Sequence, residues 1–352
     1  MITLAVDAMG GDAGLAVTIP GALLFLRQQA DVRLLMVGDE VQVRQALEAA
    51  NAPMDRIQIV HAAQVVEMDE QPQSALKNKK DSSMRIAVNQ VKEGLAQAAV
   101  SAGNTGALMA TARFVLKTIQ GIERPAIAKF IPSQNGHMTL VLDLGANVDC
   151  TPEQLVQFAV IGSELVYALY PNAGAPRVGL LNVGTEDIKG TDTVKQVFKL
   201  LSGSKLNFVG NVEGGSIFSG DVDVVVADGF VGNIVLKTIE GAVRFMGSAI
   251  KQEFQTNLLT KLGALAAMPA LKGFKNKLDP RKFNGAIFLG LRGVVIKSHG
   301  GTDAVGFSYA LEEAFHEAKA DSLTRIQQGV ADQLAHLADK KLEVEQAAIN
   351  ID

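Results

Sequence analysis

The chain has 352 residues, 48% of them apolar, so it can bury a large core without disulfides or metals, and disorder is excluded as its main state. With 33 basic and 37 acidic residues the net charge is −4, which excludes a nucleic-acid binder working through an overall basic surface and makes any anion site local. A single cysteine, Cys150, excludes an intrachain disulfide framework and a CxxC zinc site and fits a reducing cytoplasm.

The first residues, Met1 to Asp7, lack a basic leader and read as a strand rather than a signal peptide. Short β-branched apolar runs then alternate with Gly-rich turns and helical periodicity, the signature of a parallel α/β sheet with helices on both faces. Strands are expected at Ile2–Val6, Val32–Val37, Ile57–His61, Ala98–Ser101, Met138–Leu142, Val178–Val183, Leu206–Val209 and Val222–Ala227. Helices are expected at Leu15–Gln29, Val41–Ala50, Ser82–Ala96, Thr105–Thr118, Pro152–Leu169, Thr193–Leu201 and Asn233–Phe254, then Asp303–Gln328 and Ala331–Gln346. A last apolar run, Gly293–Lys297, leads into a Gly turn at His299. Length leaves open one extended α/β unit or two lobes; we take 1–352 as a single α/β domain with C-terminal helices over 303–350.

From Phe254 to Leu278 the rhythm breaks: no acid, several leucines, Pro269 and four lysines. Phe254, Leu258, Leu262 and Leu265 recur at helical spacing, Pro269 ends that stripe, and Leu271, Phe274 and Leu278 begin another. A protruding amphipathic helical hairpin over 254–282 is expected, either seated on an anionic membrane from one side or packed into an interface. No apolar run approaches the ~18 residues that span a bilayer.

In open parallel sheets ligands bind beyond the carboxyl ends of the strands. Four such loops share glycine with Asn, Thr, Asp or Lys: Gly10, Gly11 and Asp12; Gly103, Asn104, Thr105 and Gly106; Gly184, Thr185 and Lys189; Gly229, Gly232 and Asn233. Each is either a tight turn with a helix cap or an anion cradle of backbone amides, and all four are expected to converge on one rim. Lys80, Ser82, Ser83 and Arg85 form a basic, hydroxyl-bearing entry to a helix, suited to phosphate or simply solvated. His299 stands where a strand meets a Gly turn. There is no Walker A, GxGxxG, HExxH or GxSxG signature, so neither a nucleotide cofactor nor a metal is expected. Cys150 is either an acyl-carrying thiol or a small packing residue.

The segments VDAMGGD (Val6–Asp12), KKDSSM (Lys79–Met84), SAGNTGALMA (Ser101–Ala110), GIERPAIA (Gly121–Ala128), LNVGTEDIKG (Leu181–Gly190), FVGNVEG (Phe208–Gly214), DGFVGNIVLKTIEG (Asp228–Gly241) and GLRGVVIKSHG (Gly290–Gly300) closely resemble the bacterial phosphate acyltransferases of the PlsX family, in order from residue 6 to about 300. The resemblance implies transfer of a fatty acyl group from acyl carrier protein to inorganic phosphate, yielding acyl-phosphate for glycerophospholipid synthesis, with glycerol-3-phosphate acyltransferase as downstream partner. It also implies a homodimer with a three-layer α/β/α fold like that of isopropylmalate dehydrogenases and phosphotransacetylases, in a cytoplasmic, peripherally membrane-associated protein.

Phosphate is already an anionic nucleophile, so the site needs only to hold it against a thioester carbonyl and stabilise the oxyanion. Lys189 is assigned to phosphate binding and charge stabilisation, and Asn233 to donating to phosphate or the thioester oxyanion; Asn233 is alternatively an N-cap and Lys189 a solvated charge. Competing functions are an acyl-CoA phosphotransacylase, a metal-dependent oxidoreductase of the isopropylmalate class, for which Asp221, Asp223 and Asp228 are the acids to consider, and a non-enzymatic membrane scaffold.

Overall fold

The computed structural model describes residues 1–277 and 279–349. In chain order the elements are β1 (Ile2–Asp7), α1 (Leu15–Gln28), β2 (Val32–Gly38), α2 (Glu40–Ala49), β3 (Ile57–His61), α3 (Pro72–Asn78), α4 (Ser83–Lys92), β4 (Ala98–Ser101) and α5 (Thr105–Leu116). There follow β5 (Ala126–Pro132), β6 (Met138–Leu142), α6 (Pro152–Leu169), β7 (Arg177–Leu181), α7 (Asp192–Ser202), β8 (Asn207–Val212), the single turn α8 (Ser216–Ser219) and β9 (Val224–Val226). The last stretch holds α9 (Gly229–Gln255), α10 (Leu258–Ala266), α11 (Met268–Lys277), β10 (Ala286–Leu289), β11 (Val294–Lys297), α12 (Ala304–Lys319) and α13 (Ser322–Ile349).

Strand alternation explains the layering. Leu4, Val6, Val100 and Ile296 point to one face, where Phe25 of α1, Phe158 of α6 and Phe307 of α12 cover them. Ala5, Ala99, Val141 and Val295 point to the other, against Met84 of α4, Leu108 of α5 and, at its edge, Leu236 and Ile239 of α9. Burying both faces is why these strands are apolar at consecutive positions.

The eleven strands among the described residues form one sheet in the order β3-β2-β1-β4-β11-β10-β5-β6-β9-β7-β8. The expected mainly parallel α/β/α architecture is present, but the two strands with no sequence expectation, β5 and β10, change its polarity. β10 is antiparallel to both β11 and β5, and β5 to β6, so β6, β9, β7 and β8 run opposite to β1, β4 and β11. The four glycine-bearing segments therefore follow strands of two directions, those after β1 and β4 one and those after β7 and β9 the other, and the registers bring the ends of β4 and β11 level with those of β6 and β9 at the seam. The legible sign of this reversal is Asn135-Gly136, a hairpin turn with Gly136 at φ +78°, which joins β5 to β6.

Two helical boundaries also differ. The Asp228–Gly232 stretch is not a loop but the cap and first turn of α9, with the Asp228 side chain accepting from Val231 N at 2.9 Å. Asn233 is accordingly neither cap nor helix start. At the C-terminus the break falls at Ala320–Asp321, and Gly329 lies inside α13, where an added side chain would strike Glu164 of α6. Ala310, Leu311 and Ala314 of α12 are fully buried.

Helix α9 packs through Val235, Leu236 and Ile239 and then leaves the body; a β-carbon added at Gly241 or Gly247 would meet nothing within 4 Å. α10 and α11 continue the projection, with Leu258 at 74% and Leu259 at 80% exposure and Leu262, Leu265 and Phe274 also open. The stripe is split, because α9 ends at Gln255 and Asn257 caps α10, leaving Phe254 on the earlier helix. Leu278 lies outside the described residues.

Candidate functional site

Three adjacent parallel strands, β1, β4 and β11, each end an apolar run with one polar residue: Asp7, Ser101 and Lys297. Lys297 is in register with Ser101, whose hydroxyl donates to Asp7 Oδ2 at 2.6 Å. Asp7, Ser101 and Lys297 are at most 8% exposed. Lys297 Nζ donates to the carbonyl oxygens of Ala102, at 3.3 Å, and Ser298. Burial pushes the Asp7 carboxyl above its usual range and, against the attraction of Asp7 and Asp12, brings the Lys297 ammonium down to about 8. Asp7 Oδ1 has no hydrogen-bond partner among the described residues.

The glycines above this row let three loops interlock. A β-carbon on Gly10 would lie 2.5 Å from Asp7 Oδ2 and 2.9 Å from Gly103 N, and one on Gly11, itself at φ +94°, 3.1 Å from Gly300 O. Asp12 N donates to Gly300 O at 3.0 Å, and its carboxylate faces Gly300 and Gly301. His299 closes the rim: its Nδ1 accepts from Gly301 N at 3.1 Å, which leaves Nε2–H as the donor of the neutral ring. Burial, then the charges of Lys297 and Lys237, hold the imidazole below its ordinary range.

Other expected residues have local work. Asn104 caps α5 by accepting from Ala107 N, and its amide donates to Met68 O and Glu70 O, stapling the preceding loop. Thr105 opens α5 on the exposed side, and Gly106 is helical and crowded by Pro72. Ser82 caps α4, accepting from Arg85 N and donating to Lys79 O. The Arg85 guanidinium donates to Leu76 O and sits 5.2 Å from the Phe114 ring centre, so Ser82 and Arg85 are not aimed at a common anion. Lys80 is exposed, whereas Ser83 is buried facing Asp7.

On the oppositely directed strands, Asp143 organises the loop after β6. Its buried carboxylate accepts from the backbone N–H groups of Ile127, Gly145, Ala146 and Asn147 and from Asn147 Nδ2. The first turns of α9 lie directly on this loop: Gly229 against Asn147, Gly232 against Asp143, and Asn233, exposed, against Gly145. Lys189 lies in the neighbouring loop after β7, with Nζ 3.9 Å from Glu186 and its carbonyl accepting from Asn182 Nδ2. Buried Gly184 and exposed Thr185 begin that loop, and a cavity of about 570 Å³ beside it is lined by Thr185, Phe198, Phe208 and Asn211. Cys150 is half-buried, its thiol raised to about 11 chiefly by burial, and is therefore protonated near neutrality.

The two groups are linked by α9. About 12 Å along the helix from Gly229, Lys237 and Glu240, paired at 3.0 Å, come within electrostatic reach of His299 and of Lys129 on β5. Asp7, Lys297, Lys129 and Lys237 had no place in the sequence-based site. The signal for the first two was present, a single polar residue closing an otherwise apolar strand; Lys129 lay in a strand that was not recognised.

Residues 2–325 match the profile of the family described as fatty acid synthesis protein. The chain is 76% identical over 341 residues to the phosphate acyltransferase of Neisseria meningitidis serogroup A, covering 97% of each. This chain belongs to the phosphate acyltransferase family. Membership extends to more distant relatives, with 57% identity to the Chromobacterium violaceum phosphate acyltransferase over 97% of this chain and 99% of that one. Among solved structures the family fold resembles EutD phosphotransacetylase from Staphylococcus aureus (TM-score 0.57, 18% identity, 92% and 94% coverage). It also resembles 4-hydroxythreonine-4-phosphate dehydrogenase from Klebsiella pneumoniae (TM-score 0.54, 14% identity, 90% and 99% coverage). At these identities the likeness is one of fold, shared by transferases and dehydrogenases alike. For a metal-dependent dehydrogenase the Asp223 ligand is already spoken for: Arg177 donates to its carboxylate through N, Nε and Nη2.

Proposed function

We propose that the protein transfers a fatty acyl group from acyl carrier protein to inorganic phosphate, supplying acyl-phosphate for glycerophospholipid synthesis. The observation that carries this reading is the near-full-length identity to phosphate acyltransferases, joined to a buried cation, Lys297, at the end of β11 beneath the Gly-rich loops, which suits an anionic nucleophile. A phosphate oxygen attacks the thioester carbonyl, the new C–O bond forms, the C–S bond breaks, and the carrier thiolate leaves and takes up a proton. Lys189 and Asn233 stabilise the negative charge that gathers on the carbonyl oxygen. Incubating the purified protein with the carrier thioester and phosphate should release free carrier and acyl-phosphate in equal amounts. Turnover with a coenzyme A thioester but not with the carrier would move the assignment to an acyl-CoA phosphotransacylase.

Direct displacement needs no covalent enzyme intermediate, and a thiol titrating near 11 is a poor nucleophile at neutral pH. Cys150→Ser should therefore retain most of the wild-type rate. Mass spectrometry after incubation with thioester in the absence of phosphate should detect no acylated protein; an acyl adduct on Cys150 would overturn direct attack.

We assign α10 and α11 to reversible contact with an anionic membrane surface, where an apolar product can leave without crossing water. No described helix is long and apolar enough to cross a membrane. Leu258, Leu259, Leu262 and Leu265 are exposed, and Lys261 and Lys272 supply basic charge. Each inserted leucine contributes ~1.5–3 kcal/mol and each lysine at most ~1 kcal/mol, which favours reversible attachment. Leu258→Glu with Leu262→Glu should abolish sedimentation with phosphatidylglycerol vesicles while the protein stays folded and active in solution. Unfolding or loss of a dimer in that variant would place the stripe in an interface instead.

A further inference from the structure

The polar row that closes β1, β4 and β11 continues across the seam of the sheet. Lys297 pairs with Ala286 on β10, and one step along the next ladder, where Ile287 faces Ala128, brings Ala286 beside Lys129 on β5. Lys129 points to the same face as Lys297, because Ile127 and Ile131 on either side of it, like Val295, belong to the core beneath α5 and α9. Two strand spacings of about 4.8 Å put the two lysine backbones roughly 9–10 Å apart, with only the methyl group of Ala286 between them.

Neither ammonium is neutralised by a contact carboxylate among the described residues. Lys129 is partly buried, yet it makes no hydrogen bond or ion pair with any described residue, and Glu240, the nearest acid in electrostatic terms, is engaged with Lys237. Lys297 gives two of its three donors to the carbonyl oxygens of Ala102 and Ser298, leaving one. An ammonium withdrawn from water without a partner is costly, and an anion shared by both lysines offsets that cost. Access exists on the side of His299, which is exposed.

We propose that Lys129 and Lys297, standing on either side of Ala286, form the seat of the phosphate dianion, with Asp7 and Ser101 holding the Lys297 end of the row. This rests on the acyl-transfer reading above and locates the nucleophile at the seam where the sheet changes direction, along the path of α9. Ala286 is then a specificity residue: its small side chain leaves the space the anion fills.

The test is titration calorimetry with inorganic phosphate on wild type, Lys129→Met, Lys297→Met and Ala286→Val, together with KM values for phosphate and for the carrier thioester. Each variant should raise the phosphate Kd and KM at least ~10-fold, as expected for losing a charge-assisted contact or its space, while the thioester KM stays within about twofold. Lys297→Met alters a buried site, so thermal melting accompanies it; Lys129→Met and Ala286→Val, at partly open positions, decide the matter if it does not fold. Unchanged phosphate binding in folded Lys129→Met and Ala286→Val overturns the seat, even if wild type makes acyl-phosphate. Phosphate binding that weakens in the variants, in a wild type making no acyl-phosphate, upholds the seat and removes the reaction instead.

Discussion

Gly232→Ala should yield little or no folded protein. A β-carbon at this position would overlap the Asp143 carbonyl oxygen outright and lie 2.9 Å from its carbonyl carbon, so backbone meets backbone with no flexible side chain to give way. Neither partner can retreat. Gly232 sits in the first turns of α9, anchored by Asp228, and Asp143 is pinned by the four backbone N–H groups its carboxylate accepts. The expected cost exceeds ~4 kcal/mol, the range reserved for core overpacking and broken buried networks. Gly241→Ala is the control on the same helix, where the added methyl meets open space and removes a helix-interior glycine, gaining up to ~1 kcal/mol. Thermal melting of the two variants side by side checks this, and a Gly232→Ala midpoint equal to wild type would refute the packing argument.

The second large effect is catalytic. Lys189→Ala and Asn233→Ala should each lower turnover by ~10²-fold or more, the loss typical of removing one donor from a developing oxyanion. Both side chains lie at the carboxyl ends of neighbouring parallel strands, Lys189 after β7 and Asn233 on the helix that follows β9. Both are exposed, and the 3.9 Å approach of Lys189 to Glu186 is a surface pair of little energetic consequence. Stability should therefore be unchanged, so a fall in kcat at constant melting temperature reads the chemistry rather than the fold. Near-normal rates in both variants would remove them from the site and leave charge stabilisation to the lysines of the sheet seam.

Sequence by itself determined the α/β class, the family and most of the strands, because doubly covered strands must be apolar at successive positions and Gly-rich turns must follow them. Ile57–His61, Ala98–Ser101 and Met138–Leu142 coincide with their expected limits. It also made the projecting segment legible, since an acid-free run with leucines at helical spacing has few places to go. Tertiary structure alone decided which loops meet. Strand direction is set by pairing, not by composition, and Ala126–Pro132 and Ala286–Leu289 reverse half the sheet while resembling loop and family motif in one dimension. The glycines of the α9 start read as a phosphate cradle because glycine has the same spelling whether it admits an anion or another backbone; only the approach of Asp143 and Asn147 tells them apart. The row from Asp7 to Lys129 spans residues more than 280 positions apart in the chain, since Lys297 lies between them, and exists only because hydrogen-bond register lines up β1, β4, β11, β10 and β5.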